Sequence, residues 1–189
     1  MALRSITVQH PPGGFQYRQR VITPEQEESL VDSIKALPLR EFEFQGYLGK
    51  RRVASFGWRY DFGDYKLQQA EPIPEFLQPL RRIAAEFAGL DSEQFVHVLV
   101  TEYRAGTTIG WHRDRDVFGD VVGISLLSRC IFRFRRRTAD AWQRHSLLLE
   151  PCSMYLLRGE SRCEWEHSIP AVVEMRYSIT FRTLRQNER

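Results

Sequence analysis

The sequence predicts a mainly β fold, a sandwich or barrel with helices flanking one outer face, and two features carry that prediction. From Phe95 onward the chain is a succession of short segments: "FVHVLVTEY", "VVGISLL", "IFRFRRR", "SLLLE", "SMYLL", "CEWEHS" and "RYSITFRTL". Each is bounded by Gly, Pro or charged residues, as strands are. The helix signals, by contrast, lie in the first half.

In chain order, "PPGGFQYRQRVI" reads as a loop leading into a strand. Thr23 and Pro24 open a first helix, with Gln26 three residues after Thr23 as a capping box requires. Leu30, Val31, Ile34 and Leu37 recur at helical spacing until Pro38 stops the helix. A second helix follows Pro74, with Leu77, Leu80, Ile83, Ala84 and Phe87 on one face and Gly89 at its end. No internal repeat, low-complexity tract or linker interrupts this order, and 189 residues with 42% hydrophobic content suit one globular domain over 1–189.

No apolar run approaches the ~20 residues of a membrane-spanning helix, and "MALRSITVQHPPGG" lacks the apolar centre of a signal peptide. The expectation is a cytoplasmic protein, monomeric and without a membrane partner. Cys130, Cys152 and Cys163 are odd in number and form no C-x-x-C pair, so they read as buried reduced thiols. A net charge of +3 permits a polyanionic partner without demanding one.

Candidate chemistry begins in "TEYRAGTTIGWHRDRD", where His112 and Asp114 stand two positions apart. On an extended backbone such residues point to the same side, and each can give one bond to a divalent metal. Alone, the pair reads as a surface feature. A third ligand is available in "EWEHSIP", where His167 ends a predicted strand. Two histidines and a carboxylate form the facial triad of non-haem iron(II) oxygenases, and zinc can use three such ligands as well. Nine residues beyond His167, "RYSITFR" places Arg176, Ser178, Thr180 and Arg182 on one face and Tyr177, Ile179 and Phe181 on the other. If the apolar face packs into a core, the arginines look either to water, as on an amphipathic edge strand, or into a pocket, where paired guanidinium donors suit a small dicarboxylate.

Taken together, "YRAGTTIGWHRDRD", "EHSIP" and "RYSITFR" resemble the AlkB family of iron(II)- and 2-oxoglutarate-dependent dioxygenases, a likeness that runs from about Phe42 to Leu184. The resemblance implies a double-stranded β-helix (jelly roll), mainly β with flanking helices, and iron(II), 2-oxoglutarate and oxygen as cofactors. It implies iron bound by His112, Asp114 and His167. Arg176 then pairs with the distal carboxylate of 2-oxoglutarate, helped by Tyr103, while Arg182 stands near the chelating end. Two positions depart from the family pattern, Thr101 and Ser178 standing where asparagines are frequent; both can still hydrogen-bond at the cosubstrate.

Substrate signals lie earlier. "GYLGKRRVASFGWRYDFGDY" interleaves Lys50, Arg51 and Arg52 with Phe56, Trp58, Tyr60 and Phe62. Cations attract phosphates and aromatic faces stack unpaired bases. The stretch resembles the family's nucleotide-recognition lid, here 42–65. In that likeness Phe62 stacks the base against His112, Tyr60 hydrogen-bonds it and Trp58 is an alternate platform, although each aromatic equally suits the core of a twisted hairpin; by their own chemistry Asp116 can accept from an exocyclic amine and Arg51 and Arg52 can hold phosphates. "RFRRR", Arg133 to Arg137, reads first as a solvated strand face and second as a phosphate contact. His10, His97 and His145 read as structural or surface groups.

The implied activity is oxidative demethylation of alkylated nucleobases in DNA or RNA, a form of alkylation damage repair, with nucleic acid as partner. The alternatives are the same chemistry on a protein side chain, lipid or small metabolite, and a jelly-roll binding module without catalysis.

Overall fold

The computed structural model describes residues 4–8, 10–44, 47–61 and 66–185. Strands β1 (Arg4–Thr7) and β2 (Gln16–Arg18) precede helix α1 (Pro24–Lys35). Strands β3 (Arg40–Phe44), β4 (Tyr47–Asp61) and β5 (Lys66–Gln69) lead to a 3-10 turn and helix α2 (Gln78–Ala88). The remaining strands are β6 (Phe95–Tyr103), β7 (Ile109–His112), β8 (Phe118–Leu126), β9 (Cys130–Arg137), β10 (Ala141–Leu149) and β11 (Ser153–Leu157), then β12 (Glu166–Ile169) and β13 (Arg176–Leu184) after the short helix α3 (Glu160–Cys163).

They form two sheets. The larger runs β2-β11-β8-β13-β6-β4-β3 with β5 beside β4, and the smaller runs β1-β10-β9-β12-β7. Strand β13 lies between β8 and β6, so it joins the two halves of the larger sheet. This is the jelly-roll arrangement, mainly β with the helices outside.

Two cores explain it. One gathers Val31 and Ile34 of α1 and Leu80, Ala84 and Phe87 of α2 against Val98, Val100, Ile124, Ile179 and Phe181, which point out of the larger sheet. Each fully buried side chain of this size contributes roughly 1.5–3 kcal/mol, so the helices are held by this face. The second core lies between the sheets, where Tyr103, Val121 and Tyr155 of the larger meet Phe132, Phe134 and Ile169 of the smaller. The cavity described below opens beside that second core.

Local signals behave as read. Thr23 Oγ1 accepts from the Gln26 amide while the Gln26 side chain accepts from the Thr23 amide, completing the capping box. Gly89 closes α2 at a φ of 66°, a left-handed position that glycine takes without strain. One segment differs. "CEWEHS" is not one strand, because α3 ends at Cys163 and only Glu166–Ile169 is extended. Cys130 is buried, whereas Cys152 is half-buried and Cys163 exposed, which corrects the expectation of three buried thiols. Among the described residues no helix is long and apolar enough to cross a membrane.

Candidate active site

His112 and His167 are cross-strand partners of β7 and β12, with ring centroids 4.3 Å apart. Asp114 joins them differently from the sequence expectation. Strand β7 ends at His112, so Asp114 reaches the cavity from the following turn, not by strand alternation. Its Oδ1 accepts from Arg182 Nε at 2.9 Å and Nη2 at 2.8 Å, and its Oδ2 lies 3.6 Å from His167 Nε2. Arg182 therefore holds the carboxylate at the edge of the cavity.

That turn is pinned by Arg162, which the sequence reading missed. Buried in α3, its guanidinium donates to the carbonyls of Arg115, Phe118 and Gly119, the residues that flank the Asp114 turn. His97, read from the sequence as a structural or surface group, is structural: it is buried beneath Arg182, with Nδ1 3.3 Å from Arg182 Nη1 and Nε2 3.1 Å from Ser55 Oγ. It shares one face of β6 with Thr101 and Tyr103 by strand parity.

The electrostatics favour metal-donor protonation states. Burial alone pushes the Asp114 carboxyl upward, but Arg182, His167, His112 and Arg162 outweigh it and hold the group below the ordinary carboxylate range. Burial, then the neighbouring His112 and nearby arginines, lower His167 to about 3 against the pull of Asp114. His112 Nδ1 is 2.9 Å from the Gly110 carbonyl, which only accepts, so Nδ1 donates and Nε2 is the ring nitrogen left to face a metal. A neutral His167 imidazole and an ionised Asp114 carboxylate are the donor chemistry a divalent metal needs. Among the described residues, no three such side chains already stand in coordinating geometry.

Along the wall of the cavity, "RYSITFR" alternates as predicted. Arg176, Ser178, Thr180 and Arg182 line it, while Tyr177, Ile179 and Phe181 enter the helix-facing core. Arg176 is 1% exposed; its Nε donates to Ser125 Oγ at 3.2 Å and its guanidinium lies over the Tyr103 ring at 4.9 Å. Tyr103 faces it across the strands, as Thr101 faces Ser178. Among the described residues, Arg176 Nη1 has no hydrogen-bond partner. A buried donor on a cation costs about 1–3 kcal/mol or more when unpaired, so an anion's oxygen is the missing acceptor, and a carboxylate fits.

The substrate expectations divide. Arg51 lines the cavity beside Tyr103, with its guanidinium 3.9 Å from the centroid of Phe42, so it points inward and not to an outer phosphate path. Arg52 points to the other side of β4, where Glu102 and the Leu39 carbonyl engage its guanidinium. Asp116 is exposed in a turn and does not line the cavity, because strand alternation stops at His112. Trp58 is 37% exposed on β4 and also lies outside the cavity lining. Tyr60 belongs to β4, but its side chain lies outside the described set, as does Phe62 altogether.

The chain matches the sequence pattern of the 2OG-Fe(II) oxygenase superfamily over residues 14–182 and belongs to that superfamily. It is 31% identical over 172 residues to the alpha-ketoglutarate-dependent dioxygenase alkB homolog 7, mitochondrial, of Mus musculus, covering 88% of this chain and 68% of that protein. These relatives make it, more narrowly, a dioxygenase domain of AlkB type. It is also 31% identical over 148 residues to the alkylated DNA repair protein ALKBH8 homolog of Arabidopsis thaliana, covering 65% of this chain. The match spans 42% of that protein, and 24% of the tRNA (carboxymethyluridine(34)-5-O)-methyltransferase ALKBH8 of Mus musculus. The solved structure of OsALKBH1 shares the fold, with a TM-score of 0.65 at 17% identity over 93% of this chain and 99% of that one.

A pH prediction follows from the buried imidazoles. Burial, with Arg182, also lowers His97 to about 3. Both His97 and His167 thus have folded values below the ordinary 6.5, and the unfolded chain binds more protons between those limits. Metal-free protein is expected to lose stability as pH falls from 6.5 towards 3. His97→Asn, which leaves the three candidate ligands in place, should make that slope shallower in thermal melts. An unchanged slope would contradict the account.

Proposed function

We propose that this chain demethylates alkylated nucleobases oxidatively, using iron(II) held by His112, Asp114 and His167 and 2-oxoglutarate held by Arg176. The observation that carries the reading is the Nη1 of buried Arg176, unpaired among the described residues and in the same cavity as both histidines and Asp114. The names of the ALKBH8 relatives, one a DNA repair protein and one acting on tRNA, support nucleic acid as substrate.

When bound, the iron centre with oxygen supplies the oxidation that converts 2-oxoglutarate to succinate and carbon dioxide and hydroxylates a substrate C–H bond. The chain's residues do the positioning. Arg176, braced by Ser125 and Tyr103, fixes the distal carboxylate, with Thr101 and Ser178 offering hydroxyls alongside. Arg182 keeps Asp114 ionised and oriented. Leu99, Ile109, Val121 and Phe132 line the remaining wall and exclude water. An N-methyl group hydroxylated there becomes a hemiaminal, which releases formaldehyde and the restored base.

Arg51 refines the substrate. It places a third guanidinium in a cavity whose only lining carboxylate among the described residues is Asp114. Two like charges about 5 Å apart repel by roughly 3 kcal/mol at an effective dielectric of 20. Neutral N-methylated bases should therefore react faster than the cations 1-methyladenine and 3-methylcytosine, and Arg51→Ala should narrow that gap. The test is succinate and formaldehyde release across a panel of methylated oligonucleotides. Turnover of 2-oxoglutarate with no stimulation by any of them would end the nucleic-acid reading. It would leave the same oxidation on an anionic metabolite or protein side chain, which the inward-pointing Arg51 also suits.

A further inference from the structure

The five strands of the smaller sheet, all described, contain six arginines and one carboxylate, Glu166. The whole chain, by comparison, carries 27 basic and 24 acidic residues, so positive charge is concentrated on this sheet. Strand alternation sorts it. Phe132 and Phe134 of β9 are buried between the sheets, which turns Arg133, Arg135 and Arg137 to the outer face. Across the ladder Arg135 pairs with Arg144, Arg137 with Trp142, and Arg133 with Ser168 of β12. Two arginines side by side in a ladder repel, and a single glutamate, Glu166 on Arg135, answers them.

Aromatic planes are interleaved with these cations. Trp111, on edge strand β7, reaches past small Ser168 to the guanidiniums of Arg133 at 4.9 Å, Arg135 at 4.6 Å and Arg144 at 5.8 Å from its ring. Trp142 lies 4.7 Å from Arg135. The guanidiniums are thereby braced, with Arg133 Nε on Ser168 Oγ and Arg144 Nε on Ser5 Oγ, at little further entropy cost on binding. Trp111 also immediately precedes His112. From β10 to β7 is three strand spacings, about 14 Å, and the track ends at the sheet edge whose inner side is the cavity.

We propose that this outer face is a track for single-stranded nucleic acid. Arg133, Arg137 and Arg144 hold backbone phosphates, and Trp111 and Trp142 with their guanidinium partners offer flat faces to unpaired bases. An acidic membrane is the poorer fit. Interfacial binding needs an apolar face, and here Ile131 and Leu148, one cross-strand pair, are the exposed aliphatics of β9 and β10. The proposal deepens the nucleic-acid reading above and rests on it for its role in catalysis, but its binding test needs no methylated base.

The experiment measures binding of an unmodified single-stranded oligonucleotide of about 12 nucleotides across a salt series. Each lost phosphate contact lowers the slope of log affinity against log salt by about 0.7 for single strands. The double variant Arg133→Gln, Arg144→Gln should flatten it by about 1.4 and weaken binding on the order of tenfold or more at low salt. Arg137→Gln, an exposed change that leaves the fold intact, should remove about 0.7. Binding of 2-oxoglutarate and demethylation of a methylated mononucleoside should match the wild type, which also certifies folding. Wild-type protein that ignores the oligonucleotide, variants with unchanged slope, or tighter binding to acidic lipid vesicles would each overturn the track. Arginine-dependent binding with no demethylation of any oligonucleotide would keep the track and sink only the activity.

Discussion

Asp114→Ala is expected to abolish iron(II) binding and to lower the unfolding free energy of the metal-free protein by about 3–5 kcal/mol, the cost of breaking a buried ion pair. Asp114 and Arg182 are both nearly buried, and Arg182 gives two hydrogen bonds to one oxygen of that carboxylate. Removing the carboxylate strands a guanidinium beside His97, which is itself held neutral and offers little compensation. Asp114→Asn separates the two effects. An amide keeps an acceptor for Arg182, so stability should fall by only about 1–2 kcal/mol, while a neutral ligand should still bind iron far more weakly. Iron stoichiometry on purified protein and chemical denaturation read the two quantities independently. A full complement of iron in Asp114→Ala would remove it from the ligand set, and unchanged stability would mean that the Arg182 pair contributes nothing net.

Why some of this was legible in the sequence and some was not follows from the reach of each side chain. "RYSITFR" was readable because a strand between two packed layers must alternate, and here both faces have a definite destination, the helix-facing core and the cavity. The same rule misplaced Asp116, because β7 is only four residues long and the alternation ended before it. Parity correctly separates Arg51 from Arg52 but does not say which face holds the cavity, and Glu102, fifty residues away, is the partner that Arg52 meets on the other face. Arg162 was invisible for a related reason. Its guanidinium acts on backbone carbonyls more than forty residues distant, and carbonyls leave no trace in a side-chain pattern. Helix α3 was hidden because four residues make too little periodicity to compete with an apparent strand; its start is marked only by Gly159 at a φ of 56°.

Arg176 offers the other large effect, and it splits function from stability in opposite directions. Arg176→Lys keeps the positive charge but loses the planar paired donors, and a hydrogen bond between charged groups contributes about 1.5–3 kcal/mol. Affinity for 2-oxoglutarate should accordingly fall by about 10- to 100-fold, since ~1.4 kcal/mol is a factor of ten. Arg176→Met goes further. It should abolish measurable 2-oxoglutarate binding, yet leave the metal-free protein as stable as the wild type or more so. The reason is that the native guanidinium is fully buried with Nη1 unpaired among the described residues, an arrangement that costs free energy until an acceptor arrives. Methionine is of similar length and can lie over the Tyr103 ring that the guanidinium now covers. Calorimetric titration with 2-oxoglutarate and thermal melts of the metal-free variants measure both sides. If Arg176→Lys bound 2-oxoglutarate like the wild type, the carboxylate would not be held here. If Arg176→Met melted well below the wild type, the guanidinium would be a structural group, because only a side chain kept for its ligand can be removed at no cost to the fold.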